Sequence, residues 1–319
     1  MKQTGSRQAG PNAIEVEGLH KSFGDVHAVQ GVSFAVPTGT VLGLLGPNGA
    51  GKTTVVRMLT TILVPDAGRA SIAGHDVASE PQSVRRSIGL AGQYAAIDEN
   101  LTGIENLTLI GRLNHLQIAD AKQRANELLA QFGLTDAAKR LARTYSGGMR
   151  RRLDLAAALV TRPPVLLLDE PTTGLDPASR QDLWDVIAGL VADGTTVLLT
   201  TQYLEEADRL ANRIVVINHG QVVAEGTAAE LKARLGETVV ELYLGDVALV
   251  GRSIEVLRDM AAEASPLDAG VLQVPLRGGA RTVRDVLNRL DDAGIEVGRI
   301  DLREPTLDDV FLSLTGSNS

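Results

Sequence analysis

One stretch of this chain decides its fold: Gly46-Pro47-Asn48-Gly49-Ala50-Gly51-Lys52-Thr53. It follows the apolar run Val41–Leu45, which suits a buried strand, and precedes a helix-like pattern of apolar residues. Its glycines let the backbone curl so that successive N–H groups point at phosphate oxygens, while Lys52 supplies charge and Thr53 offers a hydroxyl to magnesium. The next helix presents its N-terminus to the anion, and we include Thr54, in its first turn, among the phosphate-binding residues. The sequence therefore predicts a phosphate-binding loop between a strand and a helix.

Two acidic residues end another apolar run, in the order Leu166-Leu167-Leu168-Asp169-Glu170. At the mouth of a parallel sheet, Asp169 is placed to hold magnesium directly or through water, as such acids do in phosphate-loop enzymes. Glu170 would then point toward the attacking water as a general base or orienting group. A strand that ends in solvated acids is common, so the pair alone leaves the function open. Together with the upstream phosphate-binding loop, it predicts a site that hydrolyses a bound phosphate compound.

Composition restricts the classes of protein that fit. At 319 residues the chain is long enough for one large domain and a smaller one, and no apolar run approaches the length of a membrane-spanning helix. Membrane work would therefore need another chain. The absence of cysteine excludes disulfides and thiolate metal sites, and a net charge of −8 with 3% aromatic residues argues against a nucleic-acid partner. We interpret the one dense basic cluster, Arg150–Arg152, as a solvated helix face.

The order of apolar patterns predicts an α/β fold. Three short runs are continuously apolar or β-branched, which suits strands buried on both faces of a parallel sheet: Val165–Asp169, Thr195–Thr200 and Ile214–Ile217. Residues from about 95 to 160 have helical periodicity and little strand character, so we expect a helical subdomain there. We predict a main domain over residues 13–236 and a small α+β domain over 237–319. Met1–Asn12 is polar, lacks the apolar core of a signal peptide and is expected to be a disordered tail.

The segment Tyr145-Ser146-Gly147-Gly148-Met149 resembles the signature motif of ATP-binding-cassette (ABC) ATPases, whose usual form is Leu-Ser-Gly-Gly-Gln. A serine and two glycines that open a helix form a second anion site. In that family this surface contacts the γ-phosphate bound by the opposite subunit. The resemblance implies a P-loop ABC nucleotide-binding domain that forms a homodimer and sandwiches two ATP molecules with Mg²⁺ between its chains. It extends over Ile14–Gly236.

Further positions follow the family's order. Gln93 matches the lone glutamine that contacts magnesium and senses the transmembrane partner. Asp176 ends the run Thr173-Gly174-Leu175-Asp176, which resembles the loop through which dimer halves communicate. Phe23 stands where the family usually has a tyrosine that stacks on adenine, and a phenyl ring can still stack. The resemblance therefore assigns Gln93 to catalysis and magnesium, and Asp176 and Phe23 to nucleotide binding.

The chain departs from the family at one catalytic position. Where the family normally has a histidine that bonds the γ-phosphate, this chain has Gln202, directly after Thr201. An amide can donate a hydrogen bond to phosphate but cannot become cationic or exchange a proton near neutral pH. We therefore expect phosphate sensing by Gln202 to persist and hydrolysis to be slow.

Three segments carry a narrower resemblance, to the daunorubicin-resistance-type subfamily of drug and lipid exporters from actinobacteria: Met149–Leu155, Gln202–Asp208 and Glu304–Leu312. In that subfamily glutamine at the histidine position is usual. The last segment is associated there with a C-terminal domain that supports the assembled transporter. A capped amphipathic helix that packs on its own domain would have the same pattern, so both interpretations stay open.

The resemblance implies an ATP-hydrolysing subunit of an exporter, held at the cytoplasmic face of the membrane by a separately encoded transmembrane permease. Two other interpretations remain. A non-transport cassette ATPase would usually carry two cassettes or a long coiled-coil insertion, and the sequence has neither pattern. A nucleotide-dependent switch that hydrolyses slowly is favoured by Gln202 and opposed by Glu170.

Overall fold

The computed structural model describes residues 11–92, 97–233, 239–258, 265–268, 270–275, 280–303, 306, 307 and 311. The chain divides into two units, Met1–Ala228 and Ala229–Ser319. The predicted boundary, after residue 236, falls outside the described residues, as do residues 1–10 of the predicted tail; Asn12, the last residue of that tail, already begins a strand. Among the described residues, no helix combines the length and the apolar character needed to cross a membrane.

The described part of the first unit contains two sheets. Its strands are β1 (Asn12–Phe23), β2 (Val26–Pro37), β3 (Val41–Leu45), β4 (Ala67–Ile72), β5 (His75–Asp76), β6 (Ile88–Ala91), β7 (Val165–Asp169), β8 (Thr196–Thr201), β9 (Arg213–Asn218) and β10 (Gln221–Gly226). An antiparallel sheet has the order β2-β1-β4-β5, and a larger sheet has the order β10-β9-β3-β8-β7-β6. In the larger sheet every neighbouring pair except β10 with β9 is parallel.

The parallel sheet confirms the prediction drawn from the apolar runs. Every residue of β3, β7 and β8 is buried, as expected when other layers cover both faces of a sheet. Leu166 and Leu168 of β7 belong to one hydrophobic cluster and Leu167 to another, because successive side chains of a strand point to opposite faces. Hydrophobic packing on both faces of the sheet therefore fixes the positions of the carboxyl ends of β3 and β7.

Eight α-helices begin within the described part of the first unit, and those between residues 103 and 158 form the predicted helical subdomain. The eight are α1 (Lys52–Leu59), α2 (Pro81–Ser87), α3 (Gly103–Leu113), α4 (Ile118–Gln131), α5 (Gly147–Ala158), α6 (Pro177–Ala192), α7 (Leu204–Leu210) and α8 (Ala228–Ala233), the last of which begins at the final residue of this unit. α3 begins after Thr102 because Thr102 and Glu105 cap it reciprocally. α6 begins at Pro177 because Asp176 caps it and proline suits the first helical position.

The second unit has a sheet and a core of its own. Its strands are β11 (Val239–Tyr243), β12 (Ser265–Asp268), β13 (Val271–Pro275) and β14 (Arg299–Arg303), in the antiparallel order β12-β13-β11-β14, and its helices are α9 (Ala248–Leu257) and α10 (Ala280–Asp292). Val240 and Leu242 of β11 share a hydrophobic cluster with Leu257 of α9 and Leu290 of α10. This is the α+β character predicted for the region. Most of the predicted terminal segment, Glu304–Leu312, lies outside the described residues.

Candidate nucleotide-binding site

Two glycines of the loop between β3 and α1 lie too close to neighbouring backbone for any side chain. A side chain at Gly46 would bring its Cβ to 2.3 Å from the carbonyl oxygen of Ile217. Gly51 has φ 105°, in the region that favours glycine, and a Cβ there would lie 2.3 Å from the carbonyl oxygen of Ala28. The loop is thus pressed against neighbouring backbone, and its shape depends on these two residues.

Lys52, the first residue of α1, folds back across this loop. Its Nζ donates hydrogen bonds to the carbonyl oxygens of Gly46 at 2.8 Å and Pro47 at 3.1 Å, and its side chain is only 4% exposed. Burial lowers the pKa of Lys52, while the nearby carboxylates of Glu170 and Asp169 act in the opposite direction. The ammonium group is therefore held at a fixed place inside the loop.

A cavity of about 230 Å³ opens in front of the loop. Most of the predicted phosphate-binding residues line it, together with Ala28 and Glu170: Asn48, Gly49, Ala50, Gly51, Lys52, Thr53 and Thr54. Gly46 and Pro47 contribute the carbonyl groups that hold Lys52. The cavity combines a helix N-terminus, successive backbone amides and a buried ammonium group, and these are the groups that bind phosphate.

Oxygen ligands suitable for magnesium lie beside this cavity. Asp169, the last residue of β7, accepts hydrogen bonds at Oδ1 from Oγ1 of Thr200 at 2.5 Å and from Oγ1 of Thr53 at 3.4 Å. Carboxylate and hydroxyl oxygens are ligands that Mg²⁺ prefers, usually alongside substrate phosphates and water. Thr53 and Asp169 therefore fit the predicted metal site. Gln93, the third predicted ligand, lies outside the described residues.

Glu170 is turned toward Lys52 by an unusual backbone conformation. Its φ is 51°, and its N–H donates to the carbonyl oxygen of Thr200 at 3.0 Å and to Oγ1 of Thr200 at 3.1 Å. Its Oε1 lies 3.5 Å from Nζ of Lys52, and its Oε2 accepts a hydrogen bond from Oγ1 of Thr173 at 3.3 Å. The carboxylate is only 8% exposed and borders the phosphate cavity, a position that suits the predicted general base.

The serine-glycine motif opens α5 on an exposed surface. Oγ of Ser146 accepts a hydrogen bond from the amide of Met149 at 3.2 Å, which caps the helix. Ser146 and Gly147 are exposed, whereas Gly148 is buried against α6, where an added Cβ would lie 2.5 Å from Oγ of Ser179. None of the three residues lines the cavity of its own chain. Their position leaves the N-terminus of α5 free to face another molecule.

Three further predicted residues lie outside the cavity lining. Asp176 caps α6 by accepting hydrogen bonds from the amide and hydroxyl of Ser179, at 2.9 and 2.6 Å, and these bonds lower its pKa. Gln202 follows β8 and is half-buried. Phe23 ends β1 with 48% of its surface exposed. The structure of one chain therefore does not bring Asp176, Gln202 or Phe23 to the phosphate cavity.

Besides Ala28, which lines the cavity, the sequence reasoning missed two residues at this site. Thr200 bonds both Asp169 and Glu170, and a threonine at the end of the strand next to the acidic strand is the pattern that would have found it. The interpretation of Arg150–Arg152 as a solvated face is wrong for Arg151. Its side chain is 16% exposed, against 45% for Arg150. The guanidinium group of Arg151 turns inward and donates hydrogen bonds to the carbonyl oxygens of Glu170 and Pro171.

Comparison with known proteins identifies the family. Residues 29–173 match the family model described as ABC transporter, and residues 226–315 match that of the C-terminal domain of DrrA1-3-like ATP-binding proteins. The daunorubicin resistance ATP-binding protein DrrA3 of Streptomyces coeruleorubidus is 52% identical over 306 residues, 96% of each chain. The chain belongs to the ABC transporter family. This ABC protein is also 50% identical to the doxorubicin resistance ATP-binding protein DrrA of Mycobacterium tuberculosis, over 95% of its own length and 93% of the relative's.

A solved structure of the family shows the same fold. A dimeric ATP-binding cassette in a post-hydrolysis state, bound to ADP and phosphate, matches this ABC protein with a TM-score of 0.61 and 25% identity, over 67% of this chain and 98% of the other. The subunits of this family bind ATP or ADP, dimerise and work with membrane permeases. This ABC protein is an ATPase of that kind, whose hydrolysis of ATP drives transport.

Proposed function

We propose that this ABC protein is the ATP-hydrolysing subunit of a drug exporter. It would act as a homodimer with two Mg–ATP between its chains, and drive a separately encoded permease from the cytoplasmic face of the membrane. One observation carries the catalytic part of the proposal. Lys52 and Glu170 line one cavity and lie 3.5 Å apart, and Thr53, which lines the same cavity, lies 3.4 Å from Asp169.

Each residue of this cavity has a distinct task in the proposed reaction. The loop amides and Lys52 bind the phosphate chain of ATP, and Glu170 orients the attacking water and accepts its proton. Magnesium, when bound to Thr53, Asp169 and Gln93, would neutralise phosphate charge and orient its oxygens. Gln202 lies outside the cavity lining in one chain, and in the closed dimer it would donate a hydrogen bond to the terminal phosphate but no proton.

Dimerisation is supported by the exposed N-terminus of α5 and by the dimeric relative. Ser146 and Gly147 are exposed and lie outside the cavity of their own chain, so they are available to a nucleotide held by a second chain. ATP at about a hundred times its Kd stabilises the one state that binds it by roughly 2.7 kcal/mol per site. Two shared sites exceed a typical allosteric coupling of about 1–3 kcal/mol, so we expect cooperative activity in ATP.

The cargo is assigned from the relatives. Two proteins that are 50% or more identical over nearly the whole chain are named for resistance to daunorubicin or doxorubicin. We therefore propose export of drug-like molecules of this kind, with lipid export as the second candidate. Residues 226–315 lie beyond the part matched by the ABC transporter model and match the C-terminal domain of DrrA1-3-like proteins. This second match supports the same assignment.

The catalytic part is tested by Glu170→Gln, with Glu205→Gln, an exposed acid of α7, as the matched control. Removal of a general base should lower single-turnover ATP hydrolysis by about 10²–10⁴-fold and leave ATP binding intact. The control should hydrolyse ATP like the wild type. A wild type that binds ATP and hydrolyses it no faster than Glu170→Gln would instead favour the slow nucleotide-dependent switch.

The cargo is tested in the native host by deleting the coding sequence of this chain. Deletion should raise the intracellular concentration of added daunorubicin. Expression of the wild type should lower that concentration again, whereas expression of Lys52→Ala should not. Unchanged daunorubicin accumulation with an altered lipid composition of the cell envelope would refute drug export and favour lipid export.

A further inference from the structure

Arg151 reaches from α5 to the backbone at the end of two strands. Its Nη1 donates a hydrogen bond to the carbonyl oxygen of Gly92, just after β6, at 2.6 Å. Its Nε donates to the carbonyl oxygen of Pro171 at 2.6 Å. Its Nη2 lies 3.2 Å from the carbonyl oxygen of Glu170 and 3.4 Å from that of Asp169. One guanidinium group therefore connects Gly92, just after β6, to the residues at the end of β7.

Two of these four carbonyl groups belong to the acidic residues of the proposed hydrolytic site, Asp169 and Glu170. Asp169 and Glu170 carry the carboxylates of the proposed site, and Gly92 directly precedes Gln93, which the sequence assigns to magnesium. A guanidinium presents its donors in a rigid planar fork, so its bonds fix relative positions as well as supplying attraction. Arg151 bonds the main chain of these two residues, so its hydrogen bonds to them do not occupy the carboxylate oxygens proposed for the metal and for water.

Arg151 is a largely buried cation surrounded by acidic side chains and backbone carbonyl groups. Its side chain is 16% exposed and its Nη1 lies 3.4 Å from the carboxylate of Asp154, which is buried on the same helix. Glu206, fully buried on α7, and Asp169 also act on it electrostatically. A buried cation is tolerated only when its charge and donors are satisfied. The surrounding acids and carbonyl groups satisfy this requirement.

We propose that Arg151 is a positioning residue that holds Asp169 and Glu170 in the arrangement required for hydrolysis and couples them to the N-terminus of α5. Ser146, the N-cap of α5, lies five residues before Arg151, which corresponds to about 7.5 Å along a helix. A shift of α5 when Ser146 contacts a nucleotide on a second chain would thus move the carbonyl groups beside the catalytic acids. This inference rests on the proposed ATP hydrolysis at Glu170.

The test compares Arg151→Gln and Arg151→Lys with Arg150→Gln, the exposed neighbour whose side chain pairs with Glu99. We expect Arg151→Gln to lower kcat by about 10–100-fold, since misplacing reacting groups by about 1 Å costs on that order. Arg151→Lys should lower kcat by about tenfold, because one ammonium nitrogen cannot span the carbonyl groups that the fork connects. The Kd of ATP should stay within about threefold for both, and Arg150→Gln should match the wild type.

Measurements of kcat, the Kd of ATP and the unfolding temperature on the full-length protein decide the outcome. Wild-type kcat in both Arg151 variants would overturn the inference and leave the proposed function standing. A parallel loss of kcat, ATP affinity and thermal stability in both would also overturn it, because Arg151 would then serve stability alone. If Arg151→Gln fails to fold, Arg151→Lys decides. Absence of ATP turnover in the wild type would refute the proposed function and this inference with it.

Discussion

Glu170 combines backbone strain with its proposed role as the general base. A non-glycine residue with φ near 51° costs about 1–3 kcal/mol. Two hydrogen bonds from its amide to Thr200 help to hold this conformation, and the bonds of Arg151 fix the carbonyl groups around it. The turn ends β7 and directs the carboxylate toward Lys52 instead of along the strand. Neither the backbone strain at Glu170 nor the hydrogen bonds of Arg151 could be predicted from the sequence, because both depend on residues far apart in the chain.

Gln202→His tests the meaning of the family departure at that position. A histidine can become cationic near neutral pH, whereas an amide cannot. We expect the variant to hydrolyse ATP several-fold faster and to gain a pH-dependent change in rate around the ordinary histidine pKa of about 6.5. The wild type should show no such change. Steady-state ATPase rates from about pH 5.5 to 8 measure this, and identical rates and profiles for both proteins would show that Gln202 does not limit the reaction.

Glu206→Gln tests the buried acid beside Arg151. Burial raises the pKa of Glu206 above the ordinary glutamate value of 4.5, and Nε1 of Trp184 donates to its Oε1 at 3.2 Å. The folded state therefore binds this proton more tightly than the unfolded state, and wild-type stability falls as pH rises above about 4.5 through the raised pKa. Glutamine cannot ionise, so the unfolding temperature of Glu206→Gln relative to the wild type should increase over that pH range. A difference that is independent of pH would contradict the assignment.

At the scale of elements, burial explains which predictions were accurate. β7 was predicted at its observed bounds, because a run of apolar residues buried on both faces leaves little alternative. α5 was recognised through the motif at its start. Its inward face was misread, because Arg150 and Arg151 are adjacent in sequence but differ in what lies beside them in the fold. The sequence predicted the phosphate loop, the acids and the helical subdomain, while the links between these elements required the structure.

Gly148→Ala tests the close packing of α5 on α6. An added Cβ would lie 2.5 Å from Oγ and 3.0 Å from Cβ of Ser179, so the Ser179 side chain must rotate and the start of α6 must shift slightly. Overpacking of this kind costs about 1–3 kcal/mol of stability. Gly189→Ala, in α6 with nothing within 4 Å of the added Cβ, is the control and should be neutral or stabilising by up to about 1 kcal/mol. Urea unfolding measures both, and equal midpoints for Gly148→Ala and the wild type would refute tight packing at this contact.

At the scale of the whole molecule, one chain supplies only part of the proposed ATP site. Lys52 and Glu170 border the phosphate cavity, whereas Ser146 and Gly147 lie exposed elsewhere on the same chain. The family resemblance explains this separation, because each nucleotide-binding site would be completed by the N-terminus of α5 from a second copy of the chain. The stability of the dimer that holds ATP between its two chains should therefore depend on the ATP concentration.

The most direct test of this account is the mass of Glu170→Gln in solution, measured by light scattering while Mg–ATP is added. Without its general base, the variant should bind ATP, retain it and shift from monomer to dimer with increasing nucleotide. The shift should be absent with ADP, after removal of magnesium by a chelator, and in Glu170→Gln carrying Lys52→Ala. If calorimetry detects ATP binding while the mass stays that of a monomer at every concentration, the shared-site account is contradicted.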